Sequence, residues 1–206
     1  MTKRAGNPAS GPFVLGAIPG ATPGKWVSTW RERMPHTPLE LRPLEVATQR
    51  EALVSGDVDA ALVRLPIDRD DLHVIALYDE LPVVVVNAGS NLTVAEELDV
   101  ADLAGEVLIT PADDVLDVAV PGALAPEFDP PATTADAIAT VGAGVGVVIV
   151  PMSLARLHHR KDTAYRVLRD GPTSTVALAW LADRTTPYVE TFVGIVRGRT
   201  ANSSRG

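Results

Sequence analysis

LVSGDVDAALVRLP, residues 53–66, decides the fold. A short helical stretch beginning at Thr48 ends within it, Gly56 stops that helix, and residues 60–63 follow as an apolar run without a polar interruption. Such a run marks a strand buried on both faces, as in a parallel sheet. Arg64 stands at the tip of this strand. Upstream, residues 13–18 read as a first short strand stopped by Pro19-Gly20. Residues 23–34 then have helical spacing, with Trp26, Val27, Trp30 and Met34 on one stripe. Leu39 and Leu41 alternate with Glu40 and Arg42, which predicts a half-buried strand. Strand, helix, strand, helix, strand in this order is the pattern of a right-handed parallel α/β unit.

A second stretch, TADAIATVGAGVGVVIVP at residues 134–151, repeats the logic as a helix, a glycine-rich turn and a buried strand over 145–150. Between the two stretches, residues 72–78 and 82–86 read as strands. Val83 to Val86 are all β-branched, so both faces of that strand should be buried. A second unit begins after Asn87, with a helix cap at Asp99 to Asp102 and a short strand at 107–109. Residues 111–131 are proline-rich and lack a clear period. After Pro151 come a weak helix, strands near 164–168 and 176–182, and a last helix. That helix has Pro187 in its first turn and Val189, Phe192, Val193 and Val196 on one face. No repeat of fixed period is present.

At 206 residues the chain can form one large domain or two small ones. Hydrophobic residues make up 46% and aromatic residues only 4%, so the cores must be aliphatic. A net charge of −8 disfavours a phosphate backbone as partner. The basic runs at 2–4, 156–161 and 197–205 do not resemble a recognition helix. With no cysteine, disulfides, thiol catalysis and Cys-based zinc sites are excluded. The N-terminal residues lack the apolar core of a signal peptide, and no run of about 18 apolar residues exists. A soluble cytoplasmic protein with no membrane partner is the expectation.

Two glycine motifs invite nucleotide readings that fail. In the loop GATPGKW, residues 20–26, Pro19 occupies the first glycine position of a phosphate loop, and Trp26 replaces the hydroxyl that magnesium needs. Gly142, Gly144 and Gly146 follow a helix and precede a strand, the reverse of a dinucleotide fingerprint. They read instead as a helix end packed closely on the sheet. The 20–22 loop still lies after a strand and before a helix, where backbone N–H groups can face a ligand. Thr22 would there be either a ligand contact or a helix cap. Arg64 is placed to take a carboxylate in bidentate fashion, or else to pair with Asp68 or Asp70. His36, His73, His158 and His159 have no metal spacing, and the acidic runs at 68–71 and 113–114 read as turns and caps. No catalytic constellation is visible, so neither catalytic residues, nor a metal, nor a cofactor is expected.

Six segments in order carry a family resemblance: FVLGAIPG (13–20), LVSGDVDAALVRLP (53–66), YDELPVVVVNAGSNL (78–92), VADLAGEVLIT (100–110), TVGAGVGVVIVP (140–151) and VALAWLADRTTPYVETFVGIVR (176–197). Together they resemble the effector-binding domain of LysR-type transcriptional regulators over residues 13–197. The resemblance implies a fold like the type 2 periplasmic binding proteins: two α/β subdomains joined by two crossing strands, with a small molecule in the cleft. Subdomain I would hold 13–86 and 151–197, subdomain II 87–150, and residues 1–12 and 198–206 would be tails. The crossings would be 83–86 and 145–150. Family ligand contacts map onto Gly20, Ala21 and Thr22, onto Arg64, onto Thr110 and Pro111, and onto Thr133 and Thr134, with Gly144 and Val145 lining the hinge side. Arg64 and the threonines favour a small polar or carboxylate-bearing effector, whose binding would shift lobe closure.

The family's winged helix–turn–helix and linker helix have no counterpart in these residues, so operator binding by them is not expected. The family assembles as side-by-side antiparallel dimers, and a homodimer is the expected state. The Trp26/Trp30 stripe is read as core rather than dimer contact. Residues 110–133 are shorter and richer in proline than the family pattern. Two rival readings remain: an interaction protein that forms mixed dimers with a full-length regulator, and an enzyme on the same bilobed scaffold.

Overall fold

The computed structural model describes residues 11–198. The tails expected at 1–12 and 198–206, and the basic runs within them, lie almost wholly outside the described residues. The chain divides into one unit formed by Met1–Ala76 and Ala177–Gly206 and another formed by Leu77–Val176.

The first unit is built on a five-stranded sheet. Its strands are β1 (Phe13–Ala17), β2 (Leu39–Pro43), β3 (Ala60–Arg64), β4 (Leu72–Glu80) and β9 (Ser174–Leu181), in the order β2-β1-β3-β9-β4. β1 runs parallel to both β2 and β3, with Phe13 opposite Leu39 and Leu15 opposite Ala60. All five residues of β3 are buried, as its unbroken apolar run requires. β2 is the sheet edge, and the alternation expected to half-bury it leaves Leu41 49% exposed.

Helix α1 (Gly24–Arg33) places Trp30 in the core, stacked on Phe13 at 4.7 Å between ring centroids. The Trp30 indole N–H donates to the Thr37 carbonyl at 2.9 Å. Trp30 is thus core, as expected, whereas Trp26 is half-buried. Helix α2 (Gln49–Ser55) ends at Gly56, whose φ of +80° lets its N–H reach back to the Ala52 and Leu53 carbonyls. Its Ala52 and Leu53 pack with Ala61, Val63, Ala177 and Ala179 on one sheet face. Helix α5 (Pro187–Val196) opens with Thr186 accepting from the Val189 N–H and buries Val189, Phe192 and Ile195.

The second unit has a four-stranded sheet of β5 (Pro82–Asn87), β6 (Glu97–Leu98), β7 (Val148–Pro151) and β8 (Thr163–Leu168), in the order β6-β8-β5-β7. Helix α3 (Thr134–Gly142) and helix α4 (Met152–Leu157) cover one face. Val83 and Val85 face those helices, while Val84 and Val86 join Leu98, Leu103 and Leu168 on the other face. The cap expected at Asp99 is present: the Asp102 carboxylate accepts from the Asp99 N–H at 2.8 Å. The strand expected at 107–109 reduces to two isolated parallel bridges, Val107 with Leu124 and Leu108 with Val147. Proline at 111, 121, 126, 130 and 131 removes the donors a longer ladder would need.

The expected division between subdomains needs correction. The stretches 83–86 and 145–150 do not cross between units. Val83 pairs with Val150 and Val85 with Val148, both inside the second sheet. A strand buried on both faces belongs in the middle of one sheet, which is where β5 lies. The chain instead passes from one unit to the other within β4, at Ala76 and Leu77, and returns within β9, at Val176 and Ala177.

Candidate functional site

In the first unit, β1 and β3 are parallel, so their C-terminal ends share one sheet edge. The loop after β1 carries Gly20, Ala21 and Thr22, and the tip of β3 carries Arg64. The Ile18 N–H donates to the Leu62 carbonyl at 3.3 Å, tying the loop to β3 as it leaves the sheet. Ala21 closes a turn onto the Ile18 carbonyl at 3.2 Å. Thr22 is exposed and does not cap α1: the cap position is Pro23, without a side-chain bond. The first turn of α1 contains no acidic residue. A helix start of this kind presents N–H groups and positive dipole to an anion.

Arg64 is only 2% exposed. Its backbone is held by a residue that sequence reasoning did not single out. The Gln49 side chain donates from Nε2 to the Arg64 carbonyl at 2.9 Å and accepts the Arg64 N–H on Oε1 at 2.8 Å. In sequence Gln49 looks like an ordinary polar helix residue, and no spacing marks it. Of the two acidic residues weighed as partners for Arg64, the Asp68 carboxylate takes the Arg50 guanidinium at 3.2 Å and accepts the Asp70 N–H at 3.1 Å.

In the second unit, Thr110 and Pro111 follow the 107–109 segment, with Thr110 exposed and Pro111 buried. Hydrogen bonds from the Ala112 N–H to the Pro131 carbonyl and from the Thr134 hydroxyl to the Asp113 carboxylate bring residues 110–114 against the start of α3. The two threonines there are already committed. Thr133 Oγ1 accepts the Asp136 N–H at 3.1 Å and donates to the Asp136 carboxylate at 2.7 Å, which makes it the helix cap. Thr134 is 2% exposed and donates to Asp113 at 2.9 Å. Asp114 accepts from the Leu116 and Asp117 N–H groups, so the 113–114 run forms a turn, as expected.

Gly144 and Val145 are not brought to that corner. They follow the C-terminal end of α3, a nine-residue helix about 13 Å long at 1.5 Å per residue. Their turn has a structural cause instead. A Cβ on Gly146 would lie 2.2 Å from the Val107 carbonyl oxygen, so the glycine is what allows the bridge beside it.

Charge separates the two units. Residues 77–176 carry fifteen Asp and Glu against five Lys and Arg, so this unit disfavours an anion outside a local basic site. Of the five, Arg160 is held by Asp162 at 2.8 Å, Arg166 donates to the Ala95 carbonyl at 2.6 Å, and Arg169 is bound by Asp99. Among the described residues no group of three His, Cys, Asp or Glu is arranged to hold a metal ion.

Residues 6–201 match the family described as the LysR substrate binding domain. The chain belongs to that family. It is 24% identical over 221 aligned residues to the HTH-type transcriptional regulator AlsR of Bacillus subtilis (strain 168), covering 100% of this chain and 73% of the relative. It is 33% identical over 172 residues to the HTH-type transcriptional regulator CatR of Pseudomonas putida, covering 78% of this chain and 59% of the relative. Among solved structures, the BenM effector binding domain with its effector benzoate superposes with a TM-score of 0.73 at 20% identity, covering 91% of this chain and 90% of that one. The reduced form of the OxyR regulatory domain from Pseudomonas aeruginosa gives 0.68 at 22%, covering 91% and 97%. These likenesses establish the periplasmic-binding-protein-like α/β fold, and the family establishes an effector-binding domain of the LysR type. The relatives named here are transcriptional regulators. No helix of the described residues is long and apolar enough to cross a membrane.

Proposed function

We propose that the domain senses a small carboxylate-bearing molecule, held at the sheet edge of the first unit by Arg64 and by the 20–22 loop with the start of α1. The observation that carries this reading is a buried arginine at a strand tip, on the edge where parallel α/β sheets bind ligands. A bidentate guanidinium–carboxylate pair and an acid-free helix start favour the same ligand charge. Gly20 and Ala21 would offer backbone, and Thr22 its exposed hydroxyl. In the second unit, Thr110 is the exposed candidate contact, with Pro111 buried beside it, because the Thr133 and Thr134 hydroxyls are already bonded to Asp136 and Asp113. Gly144 and Val145 are left to a structural role.

The protein acts as a sensor and not as an enzyme, in keeping with its regulator relatives. It is proposed to work in the cytoplasm as a homodimer. Thiol-based sensing is closed to it, since the chain has no cysteine.

A thermal-shift titration with benzoate and a panel of small aromatic and aliphatic carboxylates tests the reading. A melting temperature that rises with concentration, and does so far less in Arg64→Lys, is expected. A panel without effect on a folded protein would overturn it.

A further inference from the structure

Gln49 occupies the first turn of α2, where a polar side chain ordinarily points to water, yet it is 4% exposed. Burying an amide costs free energy unless its donor and acceptor are both matched. Here both are matched by one residue fifteen positions away. Nε2 donates to the Arg64 carbonyl at 2.9 Å and Oε1 accepts the Arg64 N–H at 2.8 Å. This is the pattern a neighbouring strand would supply to β3, delivered by a side chain. The next residue extends the grip. Arg50 donates from Nε to the Asp68 carbonyl and from Nη2 to the Asp70 carbonyl, both at 3.3 Å, and pairs with the Asp68 carboxylate. One helical turn therefore fixes the strand tip and the loop that follows it.

We propose that Gln49 is a positioning residue of the effector site: it fixes the backbone of Arg64, and through it the direction in which the guanidinium is presented. The inference rests on the reading of Arg64 as the effector contact. Its chemistry is specific to an amide. A glutamate would offer only acceptors at neutral pH and would face the Arg64 carbonyl with the wrong sign. Methionine would keep the volume and lose both bonds. The Gln49 amide is spent on the Arg64 backbone, so the proposal routes the effect of either change on binding through Arg64.

The experiment uses the full chain with benzoate as probe and follows the Nε–H resonances of 15N-labelled arginine. Gln49→Met and Gln49→Glu are expected to shift or broaden the Arg64 Nε–H signal while those of Arg166 and Arg169 stay in place. They are also expected to weaken benzoate about tenfold, as a misdirected guanidinium loses part of its hold on the carboxylate. In an Arg64→Lys background, Gln49→Met should cause no further loss of binding, because two residues acting through one contact are not additive. An unmoved Arg64 signal in Gln49→Met overturns the proposal. So does an equal loss of affinity in the Arg64→Lys background, which would mean a general structural role. Should neither benzoate nor any carboxylate of the panel bind the wild-type chain, the ligand reading falls, and the Arg64 resonance still decides the positioning claim.

Discussion

Replacing Gly146 by alanine should destabilise the second unit far more than the same change two residues earlier, at Gly144. Both glycines have positive φ, +62° at Gly146 and +89° at Gly144. An alanine in that region costs about 1 kcal/mol or somewhat more. The surroundings differ. At Gly144 a Cβ meets nothing within 4 Å, whereas at Gly146 it would lie 2.2 Å from the Val107 carbonyl oxygen and 3.1 Å from the Val107 carbonyl carbon and Cβ. The backbone must retreat, and the bonds lost are those of the bridge: Val147 N–H to the Val107 carbonyl and Ile109 N–H to the Val147 carbonyl, each 2.8 Å. At about 1 kcal/mol apiece, they bring the Gly146→Ala cost to about 3 kcal/mol against about 1 for Gly144→Ala. For a chain of this size that corresponds to a fall in Tm of about 6–12 °C against about 2–4 °C. Calorimetry of the two variants measures both. Equal losses, or a larger loss at Gly144, would refute the close approach as the reason for the glycine. Because Gly144 is remote from the 110–134 corner, Gly144→Ala should also leave carboxylate binding unchanged.

Three further outcomes follow from the same geometry. Thr133→Ala removes the cap of α3 and should cost about 1 kcal/mol in chemical denaturation, with Thr133→Ser restoring it. Trp30→Phe loses the indole bond to the Thr37 carbonyl and leaves a small void beside Phe13 and Phe192, a loss of about 2 kcal/mol, read from the denaturation midpoint. The hydrogen bonds from Arg160 hold the Asp162 carboxyl below the usual aspartate range. A carboxyl whose pKa is depressed by folding contributes stability above its unfolded pKa and loses it as pH falls through the lowered value. The gap in Tm between wild type and Asp162→Asn should therefore be present at neutral pH and close below about pH 4.

The elements that sequence shows plainly are those whose burial alone dictates the pattern. The run at 60–63 and the four valines of β5 are uniform because each meets core on both faces. The α5 stripe is legible only in part, since Val189 and Phe192 are buried with Ile195 while Val193 and Val196 stay half-buried. The unit boundary was misplaced for the same reason. Hydrophobicity reports that β5 is central, and it does not say to which sheet. β4 carries the chain between units although its burial alternates irregularly, so nothing in its composition marks it. The candidate site divides along similar lines. Arg64 stands out as a cation at the end of an apolar run. Gln49 does not, because its partner is backbone, and backbone leaves no residue type to read. Thr133 and Thr134 were legible as hydroxyls at a helix start, yet the commitment of those hydroxyls to Asp136 and Asp113 depends on a fold that brings residue 113 to residue 134.

The most direct test of the account is an NMR titration of the 15N-labelled chain with benzoate and the carboxylate panel, followed at backbone amides and at arginine Nε–H. The account predicts saturable shifts at Gly20, Ala21 and Thr22 and at Arg64, with Gly144 and Val145 unmoved. Saturable binding whose shifts bypass Arg64 and the 20–22 loop would contradict it.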